Sequence, residues 1–409
     1  MSRLTWLQKN GVDRIPVFGV PDEGAERQIR HCLETADACA LMADNHQGYA
    51  APVGGVLVYK DKISPNGVGF DIACGNCAVR LDIPAVEARA HIKTIMDDIW
   101  RRLSFGIGLN NETPIEHELF DPYVGHPAWK IKAAASLKRM AQNQLGTIGS
   151  GNHYVDLFVD EQERVWCGVH FGSRGLGHKI ATFFIEAGGG KDGIDVDPVL
   201  LPVDSELGQD YLACMDLAGQ YAYAGRDWVC NRVATIMRAL VLERVHNHHN
   251  FAWLEQHMGE KVWVVRKGAT PAFPGQRGFV GGSMGDVSVI IEGVESLDAE
   301  QAFYSTVHGA GRVMSRTKAA GKKKWGRDGQ GRRAVLSRTG GAVTRQMMDD
   351  WIRPMNVELR GAGVDESPHC YKRLPEVLEA HRGTIKVLHT LTPIGVAMAG
   401  DDVEDPYKD

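Results

Sequence analysis

Glycine recurs beside histidine in this chain, and that pairing restricts its fold more than any other feature. The stretches GSGNH (149–153), HFGSRG (170–175) and HGAGR (308–312) each set an imidazole against a glycine turn, and GGSMG (281–285) is a fourth loop rich in glycine. Loops of this composition let the backbone approach a bound group closely, so the fold must carry them on a rigid scaffold.

The scaffold has ample material. The chain has 409 residues, which is beyond the roughly 250–300 at which a single core stops growing. A composition of 44% hydrophobic and 24% charged residues is that of a globular protein and excludes a disordered or fibrous chain. The net charge of −5 means that a nucleic-acid partner must meet a local basic surface. The stretch from Arg312 to Arg338 offers one, with Arg316, Lys318, Lys322, Lys323, Lys324, Arg327, Arg332 and Arg333 against the single acid Asp328. A solvated loop is the other reading of the same charges. Eight scattered cysteines, no basic-then-apolar leader and no run of about 18 apolar residues predict a soluble cytoplasmic protein without disulfides and without a membrane partner.

Apolar periodicity predicts helices over 23–38, 86–103, 128–145, 207–222 and, longest, 226–257. Strand-like runs occupy 55–59, 78–83, 153–159, 164–170, 262–266, 287–292 and 385–391. They do not alternate as regular βαβ units, and no repeat or low-complexity linker divides them. The expectation is one mixed α+β domain over 1–400, followed by an acidic tail at 401–409.

Asp71 and Cys74 in GFDIACG, His153, His170, and His249 in HNHHN form the candidate metal set. A carboxylate and a thiol three residues apart in a tight loop can face one ion, and a thiolate can bridge two. A hairpin would bring His153 and His170 to related positions. Taken singly, each is more often a satisfied polar residue. On the predicted helix His246, His248 and His249 point about 100° apart in sequence, so only one or two of them can face one site. Cys74 and Cys77 also make a C-x-x-C, but there is no second pair for zinc and no thioredoxin-like βαβ pattern; Cys77 is expected to start a strand and pack inward.

HGAGR combines a nucleophilic imidazole, backbone N–H groups and a guanidinium suited to phosphate. His308 can attack phosphorus to give a phosphoramidate. RKG (266–268) and GGSMG are further phosphate or base loops, and neither is a Walker A or Rossmann fingerprint.

In order, DNHQG (44–48), GVGFDIACG (67–75), GTIGSGNH (146–153), VHFGSRGLG (169–177), HHN (248–250), RKGA (266–269), GGSMG (281–285) and HGAGRVMSRTKA (308–319) resemble the RtcB RNA ligases nearly end to end. The resemblance implies one α+β domain of stacked sheets surrounded by helices, with a metal site in a central cleft. It implies GTP and two Mn²⁺ ions, and the joining of an RNA 3′-phosphate or 2′,3′-cyclic phosphate to a 5′-hydroxyl in tRNA splicing or RNA repair, with an archease-like activator as a further partner. Zinc or cobalt would also suit the mixed ligands. It makes Cys74 the shared thiolate, with Asp71 and His153 on one ion and His170 and His249 on the other, and His308 the guanylylated nucleophile. Asn152, His153, Tyr154, Val155, Asp156, His249, Asn250, Gly281, Gly282, Ser283, Met284, Ser288, His308, Gly309, Ala310 and Gly311 match nucleotide-lining positions. Arg174, Lys267, Arg312 and Arg316 match phosphate and RNA-end contacts.

The chain departs from the family pattern at Ala399, where a lysine before the final glycine contacts the nucleotide, and at Asp156 for glutamate and Gly281 for proline. Lys408 in the tail is the one nearby cation that could fold back. These departures motivate two rivals: a metal-dependent phosphoesterase that opens cyclic phosphate ends without ligation, and a catalytically impaired RNA-binding paralogue.

Overall fold

The computed structural model describes residues 4–9, 12–327, 329–330, 333–401 and 403. Asp328, Arg332 and most of the acidic tail, including Lys408, lie outside the described residues.

Two sheets carry the molecule. One has six strands, in the order Leu4–Lys9, Val12–Phe18, Ala38–His46, Val53–Tyr59, Glu260–Lys267 and Asn250–His257. The other runs Val241–His248, Gly75–Pro84, Arg164–Phe171, Tyr154–Asp160, Ile385–Met398, Ser288–Gly293 and Arg277–Val280, with Glu358–Gly361 pairing parallel on Ile385–Met398. A shared apolar cluster joins them, with Ala40, Val56, Val58 and Val264 from the first and Val280, Val289, Ile291 and Ile385 from the second. Each strand run read from the sequence is a strand of one of these sheets.

Helices cover the outer faces. Glu23–Cys32 opens on Asp22, whose carboxylate accepts from the Gly24 and Ala25 N–H groups, an N-cap that satisfies donors the helix cannot. It stops at Cys32, so the expected helix over 23–38 is shortened, and Ala38 already begins a strand. The expected helix over 128–145 is broken into Pro127–Lys130, Lys132–Ala135 and Lys138–Gln144.

The largest correction concerns 207–257. One helix, Glu206–Met237, replaces the two expected pieces, and two strands replace the rest. Its first half packs Tyr211, Met215, Leu217 and Tyr221 on one apolar cluster, and its second half packs Val229, Val233 and Met237 on another. The buried face therefore shifts midway, which splits the periodicity without ending the helix. It ends where Arg238 turns left-handed at φ 55°, a stop with no glycine or proline to signal it. His246, His248 and His249 thus stand on a strand and its turn: Val241–His248 belongs to one sheet, Asn250–His257 to the other, and His249 is the single residue between them.

Candidate metal and nucleotide site

Strand pairing assembles one row across the second sheet. Asn76 is opposite His170, His170 opposite Tyr154, and Tyr154 opposite Met398, so these four side chains share a face. Cys74 immediately precedes the first of these strands and His153 immediately precedes Tyr154. The turn at Cys74 is pinned to the crossing between the sheets, because its carbonyl accepts from the N–H groups of His249 and Asn250. Arg226, buried in the long helix, donates to the carbonyls of Ala73 and Phe171 at 3.0 and 2.6 Å and bonds the rings of His246 and His248. It therefore ties the Cys74 loop, the end of the His170 strand and the strand leading to His249 together. His248 is buried in that bond and is not exposed.

These constraints bring together all five candidate ligands. Cys74 Sγ lies 3.2 Å from His170 Nε2 and 3.7 Å from His153 Nε2, and Asp71 Oδ2 lies 3.1 Å from His153 Nε2. Cys74, His170 and His249 form one group, and Asp71, Cys74 and His153 a second, with the ligand atoms of each group within 4.8 Å of one another and Cys74 common to both.

The protonation chemistry suits cations. His170 Nδ1 lies 3.2 Å from the Asn152 carbonyl, a bond that directs its Nε2 lone pair toward Cys74; His153 Nδ1 lies 3.0 Å from the Ile148 carbonyl and 3.1 Å from Arg174 Nη1, and its Nε2 faces Asp71. Burial pushes the His170 and His249 rings well below the usual histidine range, so both are neutral. Burial and then Asp71 push the Cys74 thiol well up, so it keeps its proton until a cation displaces it. Burial works against ionisation of Asp71, but its bond to His153 outweighs that and holds it at about 2. His249 Nδ1 is buried without a hydrogen-bond partner. One thiol, one carboxylate and three imidazoles, including that orphaned nitrogen, form a donor set fit for divalent transition-metal ions.

The imidazoles continue in a line. His153 to His170, His170 to His249 and His249 to His308 are 5.4, 5.1 and 4.8 Å between ring centres. His308 is fixed by Asp44, a residue to which the sequence reading gave no role. Asp44 Oδ2 lies 2.6 Å from His308 Nδ1 and accepts the N–H groups of His308 and Gly309 at 2.9 and 3.2 Å. Asp44 is free to do this because its strand leaves the ladder: pairing jumps from Leu41↔Gly55 to His46↔Val53. Gly311 has φ 78°, and a Cβ there would collide with the Asp44 carbonyl, so the loop closes on Asp44 only with glycine.

A cavity of about 300 Å³ lies against this line. Asn152, Tyr154, Asp156, Asn250, Lys267, Gly281, Gly282, Ser283, Met284, Gly309, Ala310, Gly311, Arg312 and Arg316 line it with the five ligands and His308. Asn76, Glu366, Tyr371 and Met398 also line it, and sequence reasoning did not single these out. Three expected residues do not. Val155 faces the apolar cluster on the opposite side of the sheet. Ser288 is buried and its hydroxyl accepts the Gly282 N–H at 3.0 Å, supporting the loop from behind. Arg174 lines a second cavity of about 640 Å³, which shares Asp71, Asn152, His153, Asn250, Lys267 and Arg316 with the first.

Burial without a facing cation raises the Asp156 carboxyl well above its usual range, and its Oδ1 and the Tyr154 hydroxyl have no partner. Arg312 and Arg316 are already engaged. Arg312 donates to Tyr371 Oη and the Asp365 carbonyl, both at 2.9 Å, and Arg316 pairs with Asp365 at 3.2 Å and with Glu366. Ala399 packs in the apolar cluster that also holds Val155; Met398 is the residue of that strand that reaches the cavity.

A family model described as tRNA-splicing ligase RtcB matches residues 27–399. The chain is 31% identical to an RNA-splicing ligase RtcB of Escherichia coli strain K12, over 92% of this chain and 94% of that protein. It is 29% identical to a tRNA-splicing ligase RtcB of Thermococcus kodakarensis, over 87% and 86%, and 31% identical to one of Archaeoglobus fulgidus, over 88% and 87%. With the match spanning nearly the whole chain, the protein belongs to the RtcB family of RNA-splicing ligases.

Proposed function

We propose that the chain is a GTP- and Mn²⁺-dependent RNA ligase that joins 3′-phosphate or 2′,3′-cyclic phosphate ends to 5′-hydroxyl ends through guanylylated His308. The observation that carries this reading is the position of His308, its Nδ1 taken by Asp44 and its ring 4.8 Å from that of His249 at the edge of the Cys74 cluster.

Asp71, Cys74 and His153 would hold one ion, and Cys74, His170 and His249 the other. Bound there, divalent cations supply neutralisation of the phosphate oxygens and Lewis-acid polarisation. Asp44 leaves Nε2 as the attacking nitrogen of His308. As Nε2 forms its bond to the α-phosphorus of GTP, the bond to the β-phosphate oxygen breaks and pyrophosphate leaves. The ring becomes cationic, and Asp44 stabilises that charge. A 2′,3′-cyclic end must first be opened by water to a 3′-phosphate; the GMP then passes to the RNA 3′-phosphate, freeing His308, and the 5′-hydroxyl attacks the activated phosphate, giving up its proton as GMP is expelled. Lys267, Arg312 and Arg316 stand where charge spreads over these phosphates, and transitions of this kind ask chiefly for positioning and electrostatic stabilisation. Asp156, Tyr154 and the loop from Gly281 to Met284 form the wall against which the base rests. Ala399 packs in the apolar cluster beside Val155, so the phosphoesterase alternative turns on the missing lysine contact, which the labelling test below decides.

Incubation with labelled GTP and Mn²⁺ should give an acid-labile, base-stable protein label that is lost in His308→Ala, and a joined product from 3′-phosphate and 5′-hydroxyl RNA. An unlabelled wild type would end the ligase reading.

A further inference from the structure

The segment from Arg312 to Arg345 carries eleven lysines and arginines and one acid in a chain whose net charge is −5. Among the described side chains these cations fall into two sets by direction. The inner set is paired with carboxylates. Arg312 and Arg316 meet Asp365 and Glu366 at the cavity, while Lys323, Arg338 and Arg345 converge on Asp401 at 3.4, 3.0 and 3.2 Å. Both carboxylate clusters crowd the same glycine, Gly363, which has no room for a Cβ between Asp365 and Asp401.

Lys323 and Arg338 are opposite one another in a two-stranded hairpin, Lys322–Arg327 with Arg333–Thr339. Asp401 therefore clamps the inner face of this hairpin beside the Arg316 edge of the cavity. The outer face carries the second set. Lys322 and Lys324 are exposed while Lys323 and Trp325 are half-buried, the alternation a strand requires. Arg327, at the end of the strand, is exposed as well. Leu336, Ser337 and Thr339, exposed on the partner strand, are uncharged. Lys318 is exposed on the preceding helix, Arg316–Ala320. The exposed cations thus follow one another along the chain away from Arg316, which lines both cavities, and the strand adds about 17 Å of reach at ~3.3 Å per residue.

We propose that the outer face of this hairpin docks the phosphate backbone of RNA beyond the end being joined, an inference that rests on the ligase reading and extends it. Lysines at these positions meet phosphates and not base edges, so the contact is independent of sequence. It gives a net-acidic protein a local handle on a polyanion and aligns the strand with the cavity.

The test compares the full chain with a Lys318→Ala/Lys322→Ala/Lys324→Ala variant, measuring fluorescence anisotropy with a labelled 3′-phosphate RNA stem of about 20 nucleotides and with a four-nucleotide RNA. The variant should bind the stem at least ~10-fold more weakly near physiological salt, with the slope of log affinity against log salt reduced by about 2–3 for three lost contacts. Arginine at the same three positions should restore binding. Affinity for the four-nucleotide RNA and GMP labelling of His308 should be unchanged. Equal affinity and slope for the stem in wild type and variant, with labelling intact, would overturn the docking surface and leave the ligase reading standing. Wild type that neither labels nor binds RNA would remove both. Binding to anionic lipid vesicles without binding to the stem would overturn the RNA assignment.

Discussion

Asp44 and His308, 264 residues apart, form a 2.6 Å contact between Oδ2 and Nδ1. Burial alone would raise the Asp44 carboxyl, but the facing imidazole charge and its hydrogen bonds outweigh this and hold it below the usual range. The pair is thus built for an ionised carboxylate beside a ring that becomes positive, which is the demand that attack on phosphorus makes of a histidine.

Asp44→Asn keeps the shape of the acceptor and removes its charge. GMP transfer to His308 should slow by about 10²–10⁴-fold, the range spanned by loss of a group that orients a reacting imidazole and stabilises its charge, while thermal unfolding changes little. Asp44→Ala should in addition destabilise the fold by about 3 kcal/mol or more, because three N–H donors lose one buried acceptor. A normal labelling rate in the asparagine variant would show that Asp44 serves only the fold.

The shared position of Cys74 makes a prediction about stoichiometry. Equilibrium dialysis against Mn²⁺ should give two ions per chain in the wild type and one in His249→Ala, which leaves Asp71, Cys74 and His153 intact. Cys74→Ala should weaken both sites by at least ~10-fold, since it removes a ligand from each. Two ions of undiminished affinity in the Cys74 variant would break the assignment of the sulfur as a common ligand.

The strands were legible in the sequence because Tyr154–Asp160, Arg164–Phe171 and Gly75–Pro84 are compact apolar runs bounded by glycine turns. The glycine loops were legible because their composition is the constraint itself. What was not legible is what depends on long-range partners. Apolar positions carry a helical period from Val229 past Leu240, and only packing reveals the left-handed stop at Arg238. Asp44 could not be assigned to His308 because its strand leaves the ladder by an irregularity that no local pattern announces. Arg226 read as one more polar helix residue, yet it is wholly buried and joins two strands to the Cys74 loop. Alternation along a strand, once the strand is known, also explains why Tyr154 and Asp156 line the cavity and Val155 does not.

Lys267 gives a pH dependence with a definite sign. Burial lowers its ammonium to about 8, and it donates to the carbonyls of Tyr49 and Asn66. Below pH 8 it is charged and can hold a phosphate. As pH rises through 8 toward the ordinary lysine value the folded protein sheds this proton before the unfolded chain does. Stability from this group therefore increases with pH across that window, while the affinity for a phosphate falls. Titration calorimetry with pyrophosphate should show binding weakened by up to roughly 10-fold between pH 7 and 9, the loss of the charged form of one group titrating near 8. Lys267→Arg should flatten the dependence. An arginine variant with the same pH profile would assign the effect to another group.

Gly281 and Tyr154 are coupled by space. A Cβ at Gly281 would collide with the Tyr154 hydroxyl, and that hydroxyl is buried with no partner. Tyr154→Phe removes an unsatisfied polar atom, so the ligand-free protein should gain about 1 kcal/mol of stability and lose affinity for GTP if the hydroxyl serves the nucleotide. Gly281→Ala alone should destabilise by roughly 1–3 kcal/mol, as overpacking does. Combined with Tyr154→Phe it should cost measurably less, since the nearest obstruction is gone. Denaturant unfolding of the four proteins gives the coupling directly, and contact residues of this kind depart from additivity by about 0.5–3 kcal/mol. Strict additivity would mean that the loop from Gly281 to Met284 moves aside freely, and the cavity wall would then owe its shape to something other than Tyr154.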